Sequence, residues 1–398
     1  MSQSPSKPSE PTKRVAIAID LEQVVPWHQD CCEGILRYGR ANGWSCTVTP
    51  FLVGPGGQSA AGYYDGVVGR IDLELAEAAR AQGIPAVNHW MNSPAKGLPS
   101  IASDTRQGAE MVGKHLIACG YRSLWYLGGE ADQERIRFVE GLSRAAADAS
   151  LAPPGEQLFK TGESIIGSAD AFARFLGQLD QWIGSLKTPA GLMVNESTLA
   201  SYAVQQCLGR GLSVPGDVGL VTWHDDVSTT AISPTLTVVE TDWSGVGYQA
   251  AALLDELMAG KVIHPQHRLL PPKRLIHRES TDVFLCEDEL VSDAMRFIAT
   301  HCRQTLKIED VAEVLNVSRR TLERRFDEVL GKTVYAEITR LRIDHVKRVL
   351  MDSDLPLATI AFDCGFSNAS YFATYFRKAT GISPGQFRRQ HRAEEAEK

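Results

Sequence analysis

The spacing of hydrophobic positions along this chain changes once, near residue 282. Before that point, short apolar runs alternate with stretches whose apolar residues recur at helical spacing. Arg14-Val-Ala-Ile-Ala-Ile-Asp20, Gly66-Val-Val-Gly69, Ile84-Pro-Ala-Val-Asn88, Ser123-Leu-Trp-Tyr-Leu127, Ala190-Gly-Leu-Met-Val194 and residues 218–222 predict buried strands. Residues 27–42, 104–120, 132–149, 242–260 and a segment ending at Gly211 predict helices, the first stopped by Gly43. Strands alternating with helices predict βαβ units and parallel sheets, an α/β fold. Such open sheets bind ligands beyond the carboxyl ends of their strands. Loops 20–26, 88–94, 128–134, 195–196 and 223–228 therefore form the candidate pocket.

After residue 282 no strand-like run remains, and helices joined by short turns are predicted, an all-α unit. Ile308, Val311, Ala312 and Leu315 share one helix face. Asn316 follows, a residue that tolerates the left-handed turn, and then buried Val317. Ser318 caps a second helix that buries Leu322, Phe326, Val329 and Leu330 and stops at Gly331. Two short helices, a tight turn and small Ala312 at the crossing describe a helix-turn-helix. The exposed face of its second helix carries Ser318, Arg319, Arg320, Thr321, Glu323 and Arg324, and arginine suits guanine edges and phosphates.

The design repeats. Leu357, Ile360 and Ala361 lead to Cys364-Gly365-Phe366, and Ser367 caps a helix with core positions Phe372, Phe376 and Ala379. Its exposed residues are Asn368, Ser370, Tyr371, Thr374, Arg377 and Lys378, with the polar ones suited to base edges and the cations to phosphates. Between the units, residues 334–351 predict one long helix. It would set the reading helices for successive major grooves, about 34 Å apart.

Charge sharpens this picture. The 398-residue chain carries a net −7, a poor match to nucleic acid, yet residues 290–392 hold 17 Lys+Arg against 12 Asp+Glu. That segment is +5, leaving −12 on the rest, and residues 367–392 hold five basic residues and no acidic one. An acidic body with a basic end fits a sensor joined to a DNA reader. Hydrophobic residues at 43% and charged ones at 22% fit a water-soluble globular chain. The eight cysteines form no CxxC pair, which predicts free thiols and a cytoplasmic protein. His28, Cys31 and Cys32 lack a fourth partner for zinc, so no metal or cofactor is expected. No run approaches the ~20 apolar residues of a membrane span, and the first residues lack the apolar core of a secretory signal. GxSxG, P-loop, HExxH and dinucleotide-binding motifs do not occur in a suitable context, which argues against an enzyme.

The second unit, Ile360-Ala-Phe-Asp-Cys-Gly-Phe-Ser-Asn-Ala-Ser-Tyr-Phe-Ala-Thr-Tyr-Phe-Arg-Lys-Ala-Thr-Gly-Ile-Ser-Pro-Gly-Gln-Phe-Arg388, resembles the AraC/XylS signature. That resemblance spans about residues 290–392. It implies a double-headed promoter reader, most often an activator. The front part resembles the LacI/GalR effector domain, related to periplasmic sugar-binding proteins. The motifs are Ile101-Ala-Ser-Asp104, His115-Leu-Ile-Ala-Cys-Gly-Tyr121, Pro215-Gly-Asp-Val-Gly-Leu-Val221, Pro234-Thr-Leu-Thr-Val238, Gly247-Tyr-Gln-Ala-Ala251 and Arg274-Leu-Ile-His-Arg-Glu-Ser-Thr281. The fusion resembles the arrangement of xylose operon regulators.

The resemblance implies a two-lobed, periplasmic-binding-protein-like sensor over residues 13–283, with a short lead at 1–12. A linker at 284–289, the double helix-turn-helix domain at 290–392 and a tail at 393–398 would follow. Effector contacts are implied at Asp104, Arg137, Asn195 and Glu196, and in the departure Trp223-His224-Asp225, where relatives carry Gly-Phe-Asp. His28 and Trp90 are further loop residues able to stack or hydrogen-bond. The implied effector is a monosaccharide, xylose or a relative, with a non-sugar effector or a repressor role as alternatives. Double-stranded DNA, RNA polymerase and a second copy of the chain are the expected partners, and a membrane is not.

Overall fold

The computed structural model describes residues 12–19, 25–54, 62–130, 132–160, 168–262, 267–283, 288–301, 306–366 and 368–396. Two six-stranded sheets occupy the first part of the chain. The first contains β1 (Arg14–Ala18), β2 (Ser45–Val48), β3 (Gly66–Gly69), β4 (Ala86–Asn88), β5 (Ser100–Ser103) and β11 (His267–Leu270). Its order is β11-β5-β4-β3-β1-β2, and every pair is parallel. The second contains β6 (Ser123–Gly129), β7 (Gly155–Phe159), β8 (Ala190–Val194), β9 (Val218–Thr222), β10 (Thr237–Glu240) and β12 (Arg274–Ile276). Its order is β12-β10-β9-β8-β6-β7, with only the β10–β12 pair antiparallel.

The continuous apolar runs reflect sheets covered on both faces. In β1, Val15 and Ile17 enter the core under α1 (Pro26–Ala41) and α8 (Trp243–Met258), while Ala16 and Ala18 enter the core under α2 (Leu73–Gln82). In β9, Leu220 faces α6 (Ser197–Gly209), and Val221 faces α3 (Thr105–Ala118) and α4 (Arg135–Asp148). Helices α1 and α8 cross backbone to backbone. A Cβ on Gly34 would stand 2.0 Å from the Ser244 carbonyl oxygen, and one on Gly247 would stand 1.9 Å from that of Cys31.

The chain passes between the sheets after β5, after β10 and between β11 and β12. This makes two lobes with strand carboxyl ends facing a shared cleft. The lobes also touch directly. Asn92 Nδ2 donates to Asp132 Oδ1 at 3.3 Å, the Gln133 amide donates to Asn92 Oδ1 at 3.0 Å, and Lys96 Nζ reaches Gln133 Oε1 at 2.9 Å.

Most predicted elements form within a few residues of their expected bounds. The helix expected from residue 132 begins at Arg135, because the Asp132 side chain accepts from the Glu134 amide and holds a turn there. Strands β2, β5, β7 and β10–β12, with α2, α5 (Ala169–Ser185) and the four-residue α7 (Val227–Thr230), are additional.

Among the described residues seven helices follow: α9 (Glu289–His301), α10 (Ile308–Val314), α11 (Arg319–Leu330), α12 (Val334–Asp352), α13 (Leu357–Asp363), α14 (Ala369–Thr380) and α15 (Pro384–Ala396). Of the expected linker, residues 284–287 lie outside the described residues, and the Asp288 side chain accepts from the Val291 amide at 2.9 Å as α9 begins. Two small cores share α12. Its first half gives Val334, Ile338 and Leu341 to a core with α9, α10 and α11, and its second half gives Ile343, Val346 and Leu350 to a core with α13 and α14. Val329 and Ala379, expected inside, are exposed; the buried stripes narrow to Leu322 and Phe326 on α11 and to Phe372 and Phe376 on α14, each pair one turn apart. The described cysteines are free thiols, and no helix among the described residues is long and apolar enough to cross a membrane.

Candidate effector cleft and nucleic-acid interface

The interlobe cleft has a volume of about 480 Å³. Of the expected effector residues, His28, Trp90, Asn195, Glu196 and His224 line it. Their elements explain this, since Trp90 follows β4, Asn195 and Glu196 follow β8, and His224 follows β9, all at strand carboxyl ends. His28 sits in the first turn of α1.

Four expected residues are placed elsewhere. Trp223 is 2% exposed and sits in the second lobe's core, edge-on to Phe138 at 5.1 Å. It continues the alternation of β9 on the face of Val221, and it fits because Gly108 on α3 has no Cβ, which would meet the ring at 2.3 Å. Its identity therefore says nothing about which sugar the cleft accepts. Asp225 turns away to a bidentate pair with Arg278, at 2.9 and 2.8 Å. Asp104 caps α3 through the Gln107 amide and pairs with Arg137 at 3.3 Å, so both serve the joint between α3 and α4. Loop residues 20–24 and Ala131 lie outside the described residues.

Several lining residues were not expected. The Trp27 ring stacks on His224 at 3.8 Å and 18°, and Trp243 follows on the same imidazole at 5.7 Å and 21°. The Arg70 guanidinium lies 4.4 Å over the Trp90 ring and donates to His28 Nε2 at 3.0 Å. On the opposite wall, Asp132 Oδ2 accepts from Tyr126 at 2.6 Å and from Asn195 Nδ2 at 2.7 Å. Among the described residues, His89 Nε2, Ser103 Oγ and His224 Nδ1 are buried side-chain atoms with no protein partner. Arg70 and His89 follow β3 and β4, so their strand-end position was a usable signal. Trp243 begins α8 after a lobe crossing, and no local pattern marks it.

Burial tunes the ionisable groups. Burial and the nearby His28 lower His89 to about 4. Burial lowers His224 to about 3 against the opposing pull of Asp226, so both imidazoles are neutral at pH 7. Burial, and then Asp132, raises Glu134 to about 7, and the same causes raise Glu196. The cleft thus offers indole faces, neutral imidazoles, an amide, a hydroxyl and carboxyl groups. That set suits a small hydroxylated ring, which needs flat apolar contact and many hydrogen-bond partners.

In the helical part, α10 and α11 enclose a turn with Asn316 at φ 52°, and α13 and α14 enclose one with Gly365 at φ 74°. Ser318 caps α11 by accepting from the Thr321 amide at 3.1 Å. The cap of α14 is Asn368, which accepts from the Tyr371 amide at 2.8 Å; Ser367, expected there, lies outside the described residues. Ser318, Arg319, Arg320 and Arg324 are exposed on α11, and Thr321 and Glu323 are half-buried. Asn368, Ser370, Tyr371, Thr374, Arg377 and Lys378 are exposed around α14.

The arginines of α11 are not equivalent. Arg319 is held by Glu309 at 2.6 Å and Glu323 at 2.9 Å, and Arg324 by Glu328 at 2.8 Å. Among the described residues, Arg320, Arg377 and Lys378 have no carboxylate partner. Leu322, Phe326 and Gly331 stand 50 positions before Phe372, Phe376 and Gly381. In that register Asp327 and Glu328 correspond to Arg377 and Lys378, so the last turns of the two helices carry opposite charge.

Residues 311–390 match a family model described as a helix-turn-helix domain, and residues 114–281 match one described as a periplasmic binding protein-like domain. The chain is 27% identical over 291 residues to the xylose operon regulatory protein of Haemophilus influenzae, covering 73% of this chain and 74% of that one. It is 29% identical over 212 residues to the Escherichia coli xylose operon regulatory protein, covering 53% of this chain and 54% of that one, about half of each. A solved structure of a xylose-binding transcription activator superposes with a TM-score of 0.73 at 22% identity, over 95% of this chain and 98% of that one. That likeness extends the shared fold across both the α/β lobes and the helical part. The relatives are transcription regulators, not enzymes.

Proposed function

We infer that the chain is a DNA-binding transcription regulator controlled by a sugar, of the same type as the xylose operon regulatory proteins. The observation that carries this reading is the joining, in one chain, of a two-lobed cleft lined by indoles and hydrogen-bonding groups to two helix-turn-helix units on one shared helix. The cleft would hold a monosaccharide, xylose or a close relative, with Trp27, Trp90 and Trp243 offering ring faces. His28, Asn195, Glu196 and His224 would meet hydroxyls. A polar cluster of this kind discriminates sugars because a wrong one leaves buried groups unpaired.

The helical domain, residues 290–392, would lay α11 and α14 in successive major grooves. Arg320 would read bases, Arg324 would assist, and Arg377 and Lys378 would grip phosphates. Ser370, Tyr371 and Thr374 would meet base edges or sugars of the second site. We propose that the protein acts as an activator in the cytoplasm, as a homodimer placing four reading helices on promoter repeats beside RNA polymerase. Titration calorimetry of the full chain against D-xylose, L-arabinose, D-ribose, D-glucose and D-galactose tests the sensor. Heat from at least one pentose is expected, and no heat from any sugar would overturn the sugar reading. Footprinting on its own promoter region tests the other half.

A further inference from the structure

We propose that residues 278–281 transmit the state of the cleft to the helical domain through two neighbouring side chains, Arg278, which grips Asp225 of the cleft loop, and Glu279, which faces His345 of α12. The inference rests on the sugar-controlled reading above and adds the route of control.

The route begins at the cleft. His224 and Asp226 line it, and Asp225 between them grips Arg278. The Arg278 guanidinium donates to both Asp225 oxygens at 2.9 and 2.8 Å, to Thr229 Oγ1 at 3.0 Å and to the Leu236 carbonyl at 3.0 Å. Arg278 is 8% exposed and makes four charge-assisted bonds, two of them in a bidentate fork on Asp225, so its guanidinium is fixed more firmly than in a single-contact surface pair. The following residues are clamped to the same sheet. Ser280 Oγ donates to the Leu220 carbonyl of β9 at 2.5 Å and accepts from the Thr237 amide at 2.9 Å. Thr281 Oγ1 lies 2.8 Å from Thr237 Oγ1. Loop, strand and segment are therefore one mechanical unit. A displacement of the cleft loop reaches Glu279 instead of being absorbed by side-chain slack.

The helical domain receives it through polar contacts. Glu279 Oε2 accepts from the Thr235 amide at 3.0 Å, and Oε1 stands 3.8 Å from His345 Nδ1 on α12. Arg296 on α9 reaches Asp217 at 3.9 Å. Beside these contacts a cavity of about 710 Å³ separates the second lobe from the helical domain, with His277 and Arg278 on one wall and Lys332, Glu337 and Arg340 on the other. A joint of polar contacts next to open volume can take a second position without overlapping packed atoms, as a closed apolar seam cannot. Because α12 belongs to both helical cores, a shift at His345 is felt by both reading helices. The physical content is a coupling free energy between cleft and DNA, which must act equally in both directions.

The experiment uses the full chain, the panel sugar that binds it, and a duplex site selected by the full chain from a random library. Fluorescence anisotropy gives the ratio of DNA Kd with and without saturating sugar. Glu279→Gln and His345→Gln should each leave sugar affinity and melting temperature near wild type while moving that ratio at least about threefold towards one. The reciprocal effect of DNA on sugar Kd should shrink by the same factor. If Glu279→Gln fails to fold, His345→Gln alone decides. An unchanged ratio in the folded variants, with wild type responding, overturns the relay and leaves the sugar reading standing. A wild type that binds sugar without any change in DNA affinity also overturns it. A wild type that binds no sugar removes the reading on which it rests.

Discussion

Glu134 is raised to about 7 by burial and by Asp132, so its ionised form is costly in the folded chain. The sign follows from linkage: a carboxyl with a raised folded pKa makes the fold lose stability as pH rises from the unfolded value near 4.5 to about 7. His89 and His224, lowered to about 4 and 3, act in the opposite sense, losing stability as pH falls below about 6.5. The contribution of Glu134 is therefore read as a difference. Glu134→Gln should melt above wild type at pH 8, by about 2–4 °C per kcal/mol gained, and the advantage should vanish at pH 5. Thermal scans of the two proteins without sugar check this. At the same scale, Trp27 gives the cleft its closest ring contact, stacked on His224 at 3.8 Å. Trp27→Ala should weaken sugar binding by about tenfold, close to 1.4 kcal/mol, in a calorimetric titration. Arg319, also expected to touch DNA, is held in this structure by two glutamates.

At the scale of elements, the two reading helices should differ in what their loss does. Arg320→Ala on α11 should cost about 1–3 kcal/mol at one base position and relax preference there. Arg377→Ala on α14 should weaken all sequences alike and lower the salt slope by about one. Mobility shifts with wild-type and scrambled sites over a range of salt separate the two. The elements also show what the sequence made legible. Parallel strands covered on both faces write themselves as unbroken apolar runs, so β1, β8 and β9 were readable, as was every helix-turn-helix turn. Strand-end loops then predicted Trp90, Asn195, Glu196 and His224 in the cleft, and His28 reaches it from the first turn of α1. Edge strands such as β2, with mostly exposed side chains, carry little apolar signal. Side-chain direction was the other failure. Trp223 and His224 are neighbours, yet one completes the alternation of β9 inside the core and the other turns into the cleft. That choice depends on the missing Cβ of Gly108, more than a hundred residues earlier.

The whole molecule is a layered arrangement of independent cores. Among the described residues four clusters fill the two lobes, and two more fill the helical domain. A sugar at about 100 times its Kd should add about 2.7 kcal/mol to the lobes, since it binds only their folded form. Calorimetric scans should show the sensor transition moving up with sugar. The transition of an isolated helical domain, residues 290–392, should stay where it was. Charge is segregated on the same plan, with an excess of −12 outside that domain and +5 within it. Low salt should therefore favour DNA at the helical end while the body is repelled from the duplex.

Helix α12 has a further consequence. Because it is one continuous helix packed into both small cores, the two reading heads are fixed in phase as well as distance. One residue inserted within it would advance the second head by about 1.5 Å and turn it by about 100°, away from the groove that the first head prescribes. Substitutions on α11 or α14 are free to change the letters that are read. The number of base pairs between the two words is not open to such drift, because no flexible tether exists to absorb an insertion in the DNA. Promoters served by this protein should therefore vary in sequence at the two half-sites and hold constant the interval between them.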